Sequence, residues 1–146
     1  MSDVHVYLGA LTVVVNGVAA LIGGLAWAVE RNPRIFWVVL RAGQALVMLS
    51  AVAGAALLLA GHDLPRLHLV YGLTPIVVSF LAEQLRIITT PNFLEQRGLE
   101  GGKDVAKLPK AEQLALVAAI LRREVAVMAT SAAVVALLCA RAQEWF

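Results

Sequence analysis

Three histidines and a set of charged and amide side chains interrupt the apolar stretches of this 146-residue chain, and their spacing sorts them into two groups. The first is His5, His62 and His68, every histidine present, with Asp3 and Asp63 beside them. Neutral imidazole offers a nitrogen lone pair, so three such side chains on one side of a membrane can ligate a transition metal. Two that face each other can hold a haem iron axially, as in haem b. Interfacial histidines are also simply comfortable at a wet boundary, and no ligand spacing in this sequence is diagnostic.

The second group is Arg41, Gln44, Glu83, Arg86 and Glu124, with the small neutral groups Asn16 and Ser79 farther along the same helices. Glu83 and Arg86 stand three residues apart and can pair within one helix. Arg41 is expected to pair with Glu124 across helices, with Gln44 completing the hydrogen bonds. A charge at membrane depth costs at least about 2.5 kcal/mol on insertion scales, so such groups need partners. Two readings follow: polar glue that fixes helix register, or a site that binds an anionic or quinone-like ligand or passes protons.

Composition says what must position these groups. The chain is 60% hydrophobic and only 15% charged, with a mean hydropathy of +0.80, which is the balance of an integral membrane protein rather than a soluble core. Apolar segments fall at about 4–29, 35–60, 65–90 and 111–141, with a polar loop at about 91–110. The first segment has no basic residue before it and is read as a retained spanning helix, not a cleaved signal. The links around Pro33 and Pro65 are short, which makes successive helices antiparallel neighbours. The expected fold is therefore all-α: a single membrane domain forming a four-helix antiparallel bundle.

A net charge of +2 confined to loops gives no reason to expect nucleic acid, and the single cysteine, Cys139, excludes a disulfide framework and CxxC redox chemistry. Arg31, Arg34, Arg86, Arg97, Lys103, Lys107 and Lys110 gather on the side of the first link and the long loop, against Arg66 and Arg141 opposite. The positive side should be cytoplasmic, giving an N-out, C-out multi-pass protein of the cell membrane. Trp145 and Phe146 would then lie at the outer headgroups.

Within each segment the polar residues share a face. His68, Tyr71, Pro75, Ser79, Glu83 and Arg86 align over about five helical turns. His5, Thr12 and Asn16 do so in the first segment, Arg41 and Gln44 in the second, joined by His62 if that helix reaches so far, and Glu124 and Ser131 in the fourth. These faces should converge inside the bundle or at an oligomer interface. Pro75 removes a backbone donor in mid-helix and is a candidate hinge.

The outline is similar to four-helix membrane b-type cytochromes and to halves of haem A synthase. Those families place histidines on several helices at depths suited to haem, whereas here the fourth segment and the inner half carry none, which argues against transmembrane di-haem electron transfer. The expectation is a small accessory subunit or small-ligand binding or transport module, with the bilayer and a homodimer or larger membrane complex as partners. The alternative is a haem- or metal-binding redox protein.

Overall fold

The computed structural model describes residues 2–31, 33–63 and 65–144, and every regular element among them is a helix. These are α1 (Ser2–Ala28), α2 (Arg34–Leu59), α3 (Arg66–Ile87), α4 (Thr89–Glu95), α5 (Gly102–Val105) and α6 (Lys110–Ala142). Four helices are long and apolar enough to cross a membrane: α1, α2, α6, and α3 taken together with α4. At about 1.5 Å per residue the 33 residues of α6 span roughly 50 Å, more than a hydrocarbon core of about 30 Å. Trp145 and Phe146 lie outside the described residues.

The end of the third segment differs from the expected stop at Thr90 and Pro91. Proline has no N–H to offer the carbonyl four residues back, and its ring crowds that group. Helical pairing accordingly breaks near Ile88, with Pro91 falling in the first turn of α4, where a missing donor costs little. Thr89 is buried at this break and donates its hydroxyl to the Leu85 carbonyl at 2.9 Å. By contrast α3 runs through Pro75, which is buried.

Contacts between neighbouring helices run in opposite directions. Along α1 and α2, Thr12 meets Ser50, Asn16 meets Gly43, and Gly23 meets Phe36. Along α1 and α6, Gly9 lies under Gln143, Gly23 under Ala129, and Glu30 pairs with Arg122. His68 and Arg86 of α3 meet Ala142 and Glu124 of α6. The α1–α6, α1–α2 and α3–α6 contacts are extensive, while α2 and α3 scarcely touch.

The pattern on α1 is inverted relative to a water-soluble helix. Gly9, Thr12, Asn16, Ala19, Gly23 and Ala26 are buried, whereas Leu11, Val14, Val18, Leu21 and Leu25 are exposed. Small residues let helix backbones approach closely, and that approach is what the buried face supplies. Phe36, Leu40, Val125 and Met128 fill the space around them.

Outside the long helices, Lys107 Nζ contacts Asp104 at 2.8 Å and the Glu100 N–H also donates to this carboxylate. These two contacts hold the Asp104 carboxyl below its ordinary range. The clip is therefore complete above the ordinary carboxyl value and is lost as pH falls through the lowered one.

Gly23 and Gly24 separate packing from propensity. A Cβ at Gly23 would collide with the Phe36 ring and the Ala129 methyl, while one at Gly24 meets open space. Gly23→Ala should cost about 1–3 kcal/mol through overpacking. Gly24→Ala should be neutral or stabilise by up to about 1 kcal/mol. Reversible unfolding of the two variants in mixed micelles measures both.

Candidate ligand site

At the end of the molecule that carries the α1–α2 turn and the α4–α5 segment, Glu83 is a hub. Arg41 donates Nη1 to Glu83 Oε1 at 2.5 Å, Gln44 donates Nε2 to the same oxygen at 3.0 Å, and Arg86 donates Nε to Oε2 at 3.0 Å. Arg41 Nη1 also reaches Gln44 Oε1 at 2.7 Å. Arg86 continues to Glu124 at 3.8 Å and lies over the Trp37 ring. Two guanidinium groups and two carboxylates thus form one neutral network joining α2, α3 and α6.

The cross-helix partner of Glu124 is accordingly Arg86 rather than Arg41, because Arg41 on α2 faces α3. Arg122 pairs with Glu30 at 2.5 Å and covers the Trp27 ring, tying α6 to the end of α1.

The polar stripe of α2 is rotated away from its packed face. Phe36, Leu40, Gly43, Val47 and Leu57 are buried, while Arg41 and Met48 are exposed and Gln44 is half-buried. Packing is set by side chains that interlock with α1, so Arg41 and Gln44 are left to face the α3 seam. α2 also ends at Leu59, which leaves His62 in the exposed link rather than on the helix with Gln44.

Among the described residues no group of three or more His, Cys, Asp or Glu side chains is placed to hold a metal ion. The three-histidine arrangement is therefore unsupported. His5 and His68 do meet, with ring centroids 5.7 Å apart in an edge-to-face orientation. His68 Nδ1 lies 3.0 Å from the Ala142 carbonyl.

These two imidazoles stand at the wall of a cavity of about 230 Å³ to which all four long helices contribute. Its walls are mostly aliphatic, with Leu69, Leu73, Leu58 and Val47 prominent, and Cys139 lines it from α6. Deeper in, Thr12 Oγ1 and Ser50 Oγ lie 3.1 Å apart. Leu58 of α2 and Leu73 of α3 line the cavity and are also exposed on the outside, so its mouth lies between those helices. A second hollow follows the same seam, walled by α2 and α3 alone and ending at Gln44, Ser79 and Glu83. Ser79 thus faces the seam. Asn16 is buried, donates to the Thr12 carbonyl at 2.9 Å and packs on Gly43, away from both hollows.

Sequence reading missed Ser50, Gly54, Gly72 and Gln143 as lining residues. A faint signal existed on α2, where Gly43, Ser50 and Gly54 recur at spacings of seven and four. Comparison with protein-family models, curated proteins and solved structures found no match.

The network makes an ordering of costs. Glu83 serves three donors from two helices, whereas Arg41 is half exposed and serves mainly one carboxylate. Glu83→Ala should destabilise by about 2–3 kcal/mol, and Arg41→Ala by about 1 kcal/mol or less once solvent screening is allowed for. A double-mutant cycle read by unfolding in micelles should give a coupling smaller than the Glu83→Ala cost.

Proposed function

We propose that this chain is an integral membrane protein, N-out and C-out, in which four antiparallel spans form a binding module for a lipophilic small molecule that enters sideways from the bilayer. The orientation follows from the basic residues, which concentrate at the α1–α2 turn and along the 91–110 segment. The membrane setting is supported by the inverted α1 pattern, since a continuous exposed stripe of Leu and Val calls for an apolar surrounding such as hydrocarbon. The observation that carries the binding reading is the apolar cavity whose mouth lies between α2 and α3.

In this reading the Arg41–Glu83–Arg86–Glu124 network has a mechanical task. It joins α2 to α3 near the cytoplasmic end, about 10 Å along α2 from its start, where headgroups and water can still reach it. The rest of that seam can then stay parted without separating the helices. A ligand needs no soluble passage, because the mouth faces lipid tails.

Cys139, the single cysteine, reports on this directly because it lines the cavity. In nanodiscs an uncharged N-phenylmaleimide should modify it at least about tenfold faster than a charged, membrane-impermeant maleimide, since burial of charge in hydrocarbon is costly. Gly72→Leu places its side chain into the cavity, where a Cβ meets no other atom, and should slow the uncharged reagent while leaving unfolding temperature unchanged or raised. Equal rates for both reagents, or no effect of Gly72→Leu, would contradict lateral apolar access.

A further inference from the structure

Resting on that reading of the cavity, the hydrogen-bond inventory of its wall narrows what the ligand's head must be. Thr12 donates its hydroxyl to the Leu8 carbonyl at 2.7 Å. Its oxygen therefore accepts from Ser50, 3.1 Å away, and both hydroxyl protons are committed. At the imidazole end, the Ala142 carbonyl can only accept, so His68 Nδ1 carries the proton and donates to it. A neutral His68 then has a bare lone pair at Nε2 on a side chain that lines the cavity.

His5 stands beside His68 with its ring N–H directed at the Ser50 backbone carbonyl. Its Nδ1 is buried and has no hydrogen-bond partner. A buried lone pair is less costly to leave bare than a buried N–H, which assigns the ring proton of neutral His5 to Nε2. His5 thereby offers the cavity no free N–H, and its ring centroid lies 5.7 Å from that of His68.

We infer that the cavity takes a lipophilic alcohol, a molecule with a hydrocarbon body and a hydroxyl head, the head donating to His68 Nε2. The apolar body occupies the space bounded by Leu58, Leu69 and Leu73, with any longer tail leaving between α2 and α3. A carboxylate or a carbonyl head offers acceptors only and sets them against the His68 lone pair. A hydroxyl supplies the proton that this lone pair lacks, and the wall thereby discriminates by hydrogen-bond direction rather than by size.

The test uses four probes with one chain length: tetradecanol, methyl tetradecanoate, tetradecanoic acid and tetradecane, each added to the full-length protein in nanodiscs. Protection of Cys139 from N-phenylmaleimide reports occupancy. Tetradecanol should protect at a concentration about tenfold or more below the ester, acid and alkane, the size expected for one buried hydrogen bond left unpaired. His68→Phe keeps the ring volume and should erase this preference, leaving alcohol and ester alike.

A readout without substitution uses protein with nitrogen-15 histidine. Tetradecanol should shift the His68 Nε2 resonance toward that of a hydrogen-bond acceptor while Nδ1 stays protonated, and tetradecane should not. If alcohol, ester and alkane protect equally and His68 Nε2 does not move, the hydroxyl assignment is overturned while the cavity reading stands. If none of the four protects Cys139, and Gly72→Leu leaves its reactivity unchanged, the cavity reading itself fails.

Discussion

In hydrocarbon an apolar side chain gains little by turning inward, so a spanning helix associates through close backbone approach and through polar groups that must find partners. α1 is built to that constraint. It spends its largest aliphatic residues on the outside and keeps Gly9, Thr12, Asn16, Ala19, Gly23 and Ala26 for its neighbours. Gly23 alone receives both the Phe36 ring of α2 and the Ala129 methyl of α6, which makes α1 the axis on which those two helices seat.

What α1 joins, the α2–α3 seam leaves open. α3 is held through α6, by His68 at one end and Arg86 at the other, and α2 is held through α1. The two outer helices meet mainly through Arg41 and Gln44 on Glu83. At the opposite end Gly72 faces open space, and His5 and His68 border the cavity. The proposed site and the charged network are thus two ends of one seam, one parted and one fastened.

Much of this was legible from residue order. The four apolar segments, the short proline-containing turns and the six-residue polar face from His68 to Arg86 all stand in the sequence and reappear as helices and a half-buried stripe. The network members were legible too, because charges in apolar segments must be paired. Their pairing was not: which carboxylate Arg41 reaches depends on the rotation of α2, and that rotation is set by Phe36, Leu40 and Val47 interlocking with other helices, not by the polar residues themselves. The apolar run at 35–60 matches α2, which ends at Leu59, and the chain turns at Gly61, with its positive φ of 84°, so His62 falls in the link. The cavity left the weakest trace, since it arises from missing side chains and from helices standing apart. Neither has a residue type of its own.

The central claim is that the α2–α3 seam admits lipid-like molecules from the bilayer, and site-resolved photolabelling tests it. Phospholipids carrying a diazirine on the acyl chain would be crosslinked to the protein in nanodiscs and the adducts mapped by mass spectrometry. The account predicts adducts on Leu69 and Cys139 inside the cavity as well as on Leu21 and Leu137, which are exposed on the outer faces of α1 and α6. Labelling of Leu21 and Leu137 with none on Leu69 or Cys139 would contradict it.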